Sequence, residues 1–296
     1  MKKLLLSAFV ICLAGTSIAQ ESPLWMRHCA LSPDGTTIAF TYKGDIYTVP
    51  STGGRATQIT TNPAFDTEPV WSPDSKQIAF ASDRMGSLDV FVVSSEGGAP
   101  QRLTTHSGSE KPVAYKDNKH ILFTANIAPS AEDAGFPSGQ FQQVYEVAVT
   151  GGRPAMFSSM PMECISINKE GVMLYQDKKG YEDYWRKHQV SPIARDIWTY
   201  TPGKKPVYQK QTTFGGEDRE PVWSPDGKSF YYLSEEKGSF NIFQRTPGTT
   251  TSQQITFHTK HPVRFLSIST TGTLCYGYDG EIYTLRSEER RVGKEC

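Results

Sequence analysis

Hydrophobic residues along this chain fall in short segments that alternate with polar, turn-forming stretches. Typical segments are Ile38–Phe40, Ile78–Phe80 and Val90–Val93, which are rich in β-branched and aromatic residues. Gly, Pro, Asp and Ser cluster between them, a composition typical of short strands joined by tight turns. The pattern predicts an all-β chain.

One turn sequence recurs in front of these segments and defines a repeat. Its clearest copies are Leu31–Gly35, Trp71–Ser75 and Trp223–Gly227, which share the run Ser-Pro-Asp. Three degenerate copies lie at Tyr115–Asn118, Asn168–Gly171 and Ser269–Gly272. The aligned turn positions, 40 to 56 residues apart, are Asp34, Asp74, Asp117, Glu170, Asp226 and Thr271. Repeats of this length with several short strands each are typical of β-propellers.

The second copy shows which strands each repeat contributes. We predict an inner strand at Glu68–Trp71, followed by strands at Gln77–Ser82, Asp89–Val93 and Arg102–Thr105. The predicted fold class is therefore all-β, a six-bladed β-propeller of four-stranded antiparallel blades. The sixth repeat shows only three strands, so the last blade is expected to be incomplete. An open β-sandwich is the alternative, but it does not account for six copies of one turn.

The two ends of the chain do not fit the repeat. Two lysines precede the apolar run Leu4–Ala14, and small residues up to Ala19 complete the pattern of a cleaved secretory signal. An uncleaved anchor is the alternative, although the apolar run is short for a membrane span. The predicted domains are a signal peptide at 1–19, the propeller at 20–285 and a disordered or non-native tail at 286–296. We therefore expect an exported protein, periplasmic or extracellular, with no membrane attachment after cleavage and with buried, unpaired cysteines.

The charge balance and the motifs of the sequence limit the partners and the reactions that this chain can be expected to have. The chain holds 31 lysines and arginines and 31 aspartates and glutamates, so its formal net charge is zero and nothing favours nucleic acid as a partner. The histidines and cysteines match no metal-ligand spacing. The sequence also contains no phosphate-binding loop, dinucleotide fingerprint or Gly-x-Ser-x-Gly turn. We predict no metal, no cofactor and no catalytic residue in this chain.

The residues that lead into the inner strands form the candidate binding site, because inner strands surround the axis of a propeller. The aligned charged and polar candidates are Arg27, His28, Glu68, Glu110, Lys111, Glu163, Arg219, Glu220 and Arg264. We expect a ring of mixed charge in which arginines clamp a peptide carboxylate and carboxylates meet an amino end. The alternative is that these charges pair with one another around the ring.

Two repeats carry insertions between their second and third strands, at about Asn126–Gln143 and Asp177–Arg195. Loops at this position share a face with the starts of the inner strands, so both insertions are expected to border the same channel mouth. The second insertion adds Arg186, His188 and Arg195 as residues that gate or bind a passing chain. Docking of the same residues against other domains is the alternative.

The repeats resemble those of TolB-like propellers in general. Two segments indicate a more specific family. Leu24–Arg27 leads directly into the first turn copy, and the fourth repeat carries Tyr181–His188 followed by Ala194–Trp198. This combination resembles the N-terminal propeller of exported bacterial tricorn-like serine proteases over about residues 23–285. The resemblance implies a longer protein with a second propeller, a helical segment, a PDZ domain and a protease core.

The same resemblance implies that peptides reach or leave an enclosed active site through the propellers. None of the family's catalytic residues has a counterpart in this chain. The expected partners are peptides and the C-terminal domains of the parent protease, with a homo-oligomer formed through the full-length protein as a further expectation. The alternative functions are a stand-alone TolB-like binding protein of the cell envelope and a propeller glycosidase, which needs two carboxylates set apart across a site.

Overall fold

The fold was analysed in a computed structural model that describes residues 25–127, 142–180, 188 and 190–286. The predicted signal peptide, the tail beyond Arg286, most of the first insertion and residues 181–187 and 189 of the second lie outside these residues. The strands of the first three sheets are β1 (Arg27–Leu31), β2 (Thr37–Tyr42), β3 (Asp45–Pro50), β4 (Thr57–Gln58), β5 (Asp66–Trp71), β6 (Gln77–Ser82), β7 (Asp89–Ser94), β8 (Gln101–Arg102), β9 (Lys111–Asp117), β10 (His120–Ala125), β11 (Gln143–Ala148) and β12 (Ala155–Ser158). The strands of the other three are β13 (Met162–Ile167), β14 (Met173–Asp177), β15 (Ile197–Thr201), β16 (Val207–Lys210), β17 (Asp218–Trp223), β18 (Phe230–Ser234), β19 (Asn241–Arg245), β20 (Ser252–Gln254), β21 (Arg264–Ile268), β22 (Thr273–Tyr278) and β23 (Glu281–Arg286).

Each sheet is one antiparallel blade built from consecutive strands. Five blades have four strands, and the sixth has three described strands, β21 to β23. The first strand of every blade contacts the first strands of the blades before and after it, so the six inner strands close a ring. The predicted six-bladed propeller with a three-stranded last blade is confirmed. In the described part of the chain, no helix is long and apolar enough to cross a membrane.

The hydrophobic core lies between neighbouring blades. Phe80 of the second blade, for example, packs in one buried cluster with Ile46 of the first. The tryptophan before the Ser-Pro-Asp turn also reaches across the interface, since Trp71 Nε1 donates a 2.8 Å hydrogen bond to the carbonyl of Ala30. Trp223 Nε1 also donates to the blade before it, to the carbonyl of Val172 at 3.1 Å. Each repeat thus completes its core only against a neighbour.

The aspartate of the repeated turn explains why the turn recurs. In the first blade, Ser32 Oγ donates to Asp34 Oδ1 at 2.6 Å, and the N–H of Thr36 donates to the same oxygen at 2.9 Å. Asp74 and Asp226 hold their turns in the same way. A short acceptor side chain therefore satisfies turn donors that no strand reaches.

The outer strand of the second blade is shorter than the sequence predicts. The expected strand Arg102–Thr105 is paired only over Gln101–Arg102. Thr104 leaves the ladder because its Oγ1 accepts the N–H of Val90 at the start of β7, at 2.9 Å. The same bond joins the third strand to a later threonine in three other blades, at Thr60, Thr212 and Thr256. We call this contact the threonine latch.

The ring closes between the sixth and first blades without a shared strand in the residues described. The N–H of Leu31 donates to Ser267 Oγ at 3.0 Å across this interface. Cys29 and Cys275 lie in the same buried cluster there, and the neighbouring Cys275 thiol and burial hold the pKa of Cys29 well above its usual range. These two residues and Cys164 are free thiols, as expected from the sequence.

Candidate functional site

A central cavity of about 1120 Å³ runs along the axis of the ring. All six inner strands line it, from residues at their starts, such as Glu68, to the turns at their ends, such as Pro33 and Pro225. We call the end near the strand starts the mouth. The volume lies slightly above the range for ligand pockets, roughly 300–1,000 Å³.

A β-bulge near the start of the inner strand decides which side chains enter the mouth. In the second blade, Glu68 and Pro69 lie between the paired residues Thr67 and Val70, opposite the single residue Phe80. The first bulged residue has a positive φ, between 49° and 58°, in five blades: His28, Glu68, Cys164, Glu220 and Phe265. Such a conformation costs a non-glycine residue roughly 1–3 kcal/mol, and bulges re-aim side chains.

These five bulge residues and Lys111 of the third blade line the cavity, and we call them the mouth ring. Lys111 differs because the third blade places its bulge two residues later, at Val113. The sequence analysis singled out residues at this position and at the position just before it. In every blade the structure brings the residue at this position to the cavity, whereas among the residues just before it only Glu163 lines the cavity.

The other predicted ring residues point away from the cavity, which corrects that part of the prediction. Glu110 is buried in the wall, where its carboxylate accepts the N–H of His106 and burial raises its pKa. Arg219 is also buried, donating to Glu217 at 2.8 Å. Arg27 is exposed and lies over the ring of Trp25. Arg264 pairs opposite Gly277 at the start of β21.

The charges at the mouth are paired with one another. Lys111 Nζ lies 2.6 Å from a carboxylate oxygen of Glu68, an ion pair between the second and third blades. Glu163 contacts both Lys178 Nζ and Arg195 Nε at 3.2 Å. These pairs match the alternative in which ring charges satisfy each other. The arginine clamp is not supported, because Arg195 is the arginine that lines the cavity in the described residues, and Glu163 and Glu217 engage it.

Burial and hydrogen bonds set the charge state of two mouth residues. Burial lowers the pKa of His28, and its Nδ1 lies 3.0 Å from Thr67 Oγ1, so the neutral imidazole is favoured near pH 7. Burial alone raises the pKa of Glu163, but the cations of Arg195 and Lys178 outweigh it and hold the pKa below its ordinary value. The mouth therefore combines a neutral His28 with an ionised, paired Glu163.

Glu220 connects three blades at the mouth. Its Oε2 accepts the N–H of Leu266 in the sixth blade at 2.8 Å. Its own N–H donates to Gln176 Oε1 in the fourth blade, also at 2.8 Å. Glu220 thus lines the cavity and also links the fourth and sixth blades through these two hydrogen bonds. This arrangement suits a structural role more than acid–base chemistry.

Below the mouth, the cavity is lined by a second ring of small side chains. Two residues after each mouth position, the six inner strands present Ala30, Val70, Val113, Ser166, Val222 and Ser267. We call this set the waist ring. The hydroxyls of Ser166 and Ser267 accept backbone N–H groups of the next blade, from Trp223 and Leu31. The waist therefore carries no charge.

The second insertion meets the mouth at its two ends. Lys178 and Arg195 contact Glu163 there. The sequence analysis singled out Arg195, but neither Lys178 nor Gln176, which also line the cavity. The sequence signal for Lys178 is the pair Lys178-Lys179 near the start of the insertion. His188 lies away from the cavity, with its N–H donating to Glu235 of the fifth blade. Arg186 lies outside the described residues.

The face around the mouth carries exposed apolar side chains. Trp25, for example, is 71% exposed and Phe257 is 70% exposed. Six of the nine exposed large hydrophobic residues in the described chain belong to connections on this face: Trp25, Phe65, Met85, Met160, Val190 and Phe257. We call them the apolar rim. Across the described residues, no group of three or more His, Cys, Asp or Glu side chains is placed to hold a metal ion.

Comparison with known proteins identifies the family of this chain. Residues 23–291 match the family described as the tricorn protease N-terminal beta propeller domain. Tricorn protease homolog 1 of Streptomyces coelicolor is 24% identical over 260 residues, covering 86% of this chain and 23% of that protein. An uncharacterized protein of Agrobacterium fabrum is 34% identical over 218 residues, covering 69% of this chain and 68% of that protein.

One solved structure extends the comparison to three dimensions. The crystal structure of the tricorn protease has a TM-score of 0.75 at 17% identity, covering 93% of this chain and 27% of that chain. At this identity the similarity shows the fold alone. The chain thus spans about a quarter of the length of the two tricorn proteins that it matches.

Proposed function

Because the chain belongs to the family of tricorn protease N-terminal β-propeller domains, we propose that it binds peptides in its central cavity for a peptidase whose catalytic residues lie outside this chain. The cavity carries this proposal, since it is lined from end to end by all six inner strands. A wall built from every blade offers polar groups at its mouth and small apolar groups below, the mixture typical of ligand sites.

The length comparison supports a role within a larger assembly. The chain spans only 23% of the Streptomyces relative, so that protein has extensive further sequence. We propose that the corresponding domains of a longer polypeptide cover the apolar rim, because exposed apolar residues clustered on one face mark interaction surfaces. Export to the periplasm or the cell exterior is part of the same proposal and rests on the signal-like sequence at residues 1–19.

Affinity ultrafiltration tests the binding role. The purified chain is mixed with a tryptic digest of casein, and retained peptides are identified by mass spectrometry. We expect retention of uncleaved peptides, and its loss in Val222→Trp, which fills the waist. Val207→Trp on the exposed strand β16 is the matched control and should retain peptides normally.

Two results would contradict the proposal. Equal retention by both tryptophan variants would place binding outside the cavity. New cleavage products that disappear after treatment with a serine-directed fluorophosphonate would show that the chain itself is a peptidase.

A stand-alone envelope-binding propeller is the second candidate, and one observation favours it. The Agrobacterium relative matches over 68% of its own length, so it is comparable in size to this chain. Reading the coding DNA beyond residue 296 separates the two candidates. A long open frame favours the peptidase assembly, and a prompt stop codon favours the stand-alone protein.

A further inference from the structure

The charges that line the mouth compensate one another. Three cations, Lys111, Lys178 and Arg195, face three carboxylates, Glu68, Glu163 and Glu220. Lys111 is paired with Glu68, while both other cations contact Glu163. A charged group that pairs with Lys111, Lys178 or Arg195 must therefore compete with an existing ion pair, and breaking the pair of the buried Arg195 is the most costly.

The waist ring offers a charged side chain no counter-charge. Four of its members, Ala30, Val70, Val113 and Val222, are aliphatic. The hydroxyls of the other two, Ser166 and Ser267, already accept backbone N–H groups. An ionised side chain passing this ring would lose water without gaining a counter-charge, whereas a small neutral side chain would exchange water for apolar contact.

The height of the cavity sets the length of chain exposed to this environment. The inner strands have five to seven residues, which corresponds to roughly 17–23 Å at about 3.3 Å per residue. An extended peptide of about six residues spans the same distance. Its central two residues would lie at the waist while its flanking residues meet the mouth and the turns.

We propose that the cavity selects extended polypeptide segments whose central side chains are small and uncharged. This selectivity rests on the proposed binding of peptides in the same cavity. It reverses the expectation from sequence that the mouth captures the charged ends of a peptide. The ring charges instead pair with one another, and the waist ring selects among peptide side chains.

Fluorescence anisotropy with three labelled ten-residue peptides tests this selectivity. All share a Gly, Ser and Ala background and blocked ends, and they differ at the two central positions, which are Val-Ala, Asp-Asp or Lys-Lys. We expect the Val-Ala peptide to bind at least ~10-fold more tightly than either charged peptide, a difference of about 1.4 kcal/mol.

A charge placed in the waist should change the order of binding. In Val222→Asp, the Lys-Lys peptide should bind more tightly than the Val-Ala peptide. Val207→Asp on the exposed strand β16 is the matched control and should leave the original order intact. Ser267→Asp is a second waist variant that keeps an acceptor for the N–H of Leu31, and it serves if Val222→Asp does not give a folded circular dichroism spectrum.

The outcomes separate the selectivity from the function on which it rests. If charged peptides bind as tightly as the neutral one, and Val222→Trp still blocks them all, the cavity binds peptides and the selectivity is wrong. If no peptide binds, or Val222→Trp has no effect on binding, the proposed function itself falls. An unchanged order in both waist aspartate variants would also overturn the selectivity.

Discussion

At the residue scale, a single backbone position decides which side chains reach the axis. The repeat aligns two successive positions at the start of each inner strand, but the sequence does not show which of the two faces the cavity. That choice depends on a bulge with positive φ, and residues as different as Glu68, Cys164 and Phe265 occupy it. No residue type signals this conformation as glycine would, so only the structure reveals it.

The ion pairs of Arg195 at the mouth are expected to contribute to the stability of the fold. Arg195→Met should lower the free energy of unfolding by ~3 kcal/mol at pH 7, because it leaves the carboxylates of Glu163 and Glu217 without this cation in a buried site. Lys237→Met, at an exposed pair, is the control and should change stability by less than ~0.5 kcal/mol. Urea unfolding of both variants measures the difference.

The pH dependence of this effect has a definite sign. The folded-state pKa of Glu163 lies below its ordinary value, so its ion pairs stabilise the fold above that value and are lost as the pH falls through the folded pKa. The deficit of Arg195→Met should therefore shrink in acid. A deficit that is constant from pH 7 to below pH 4 would show that lost packing, not charge, causes it.

Comparison of two blades predicts a stabilising substitution. Asp66 is paired with Arg84 at 2.9 Å, but at the equivalent place in the fifth blade Asp218 is accompanied by Glu236. Burial, with the nearby carboxylates of Asp196 and Glu236, raises the pKa of Asp218 to about 7 against the opposing effect of the Ser234 and Thr212 hydroxyls. Because the folded pKa exceeds the unfolded value, wild-type stability should fall as the pH rises from about 4 to about 7.

Glu236→Arg supplies the cation that the fifth blade lacks. It should raise the melting temperature by at least ~2 °C at pH 8 and by less at pH 5, where Asp218 is neutral in the folded protein. Glu236→Gln is the control, since it removes the repulsion without adding a cation, and its gain should be smaller. Equal gains at both pH values would contradict the assignment.

At the element scale, the order of strands within a blade was predictable, but the latch that secures the outer edge was not. The sequence signal exists, since a threonine follows the start of the third strand at a nearly fixed distance, as Thr60 follows Asp45 and Thr104 follows Asp89. It was interpreted as part of an outer strand because threonine favours strands. The side-chain bond to Val90 is a tertiary contact that strand propensity does not describe.

Thr104→Val tests the latch with almost no change in side-chain volume. The variant leaves the buried N–H of Val90 without its acceptor, which should lower the free energy of unfolding by ~1–3 kcal/mol. Thr105→Val, at the exposed neighbouring position, should stay within ~0.5 kcal/mol of wild type. If the two variants are equally stable in urea, the latch contributes nothing.

At the scale of the whole molecule, the number of blades followed from six copies of one turn, whereas the closure of the ring did not. The sixth and first blades meet through contacts such as the one between Leu31 and Ser267. Strand β23 has no further strand on its outer side in the described residues. An unpaired outer strand of six residues is a site for association with other chains.

Static light scattering tests the consequence of this edge. The purified chain should self-associate as its concentration rises, and Thr284→Lys at an exposed position of β23 should at least halve the aggregated fraction, because a charge on an edge strand opposes pairing. Thr57→Lys on the two-residue outer strand β4 is the control and should have no effect. A chain that stays monomeric at all concentrations would rule out an adhesive edge.

Site-specific photocrosslinking tests the central claim, that polypeptide occupies the axial cavity, most directly. Benzoylphenylalanine replaces Lys169, which lines the cavity at the turn end, or Val207 on the exposed strand β16, and the Val-Ala peptide is irradiated with each protein. We predict a crosslinked adduct at position 169 and none above background at position 207. Equal crosslinking at both positions, or none at position 169 from a folded protein, would contradict a cavity that holds polypeptide.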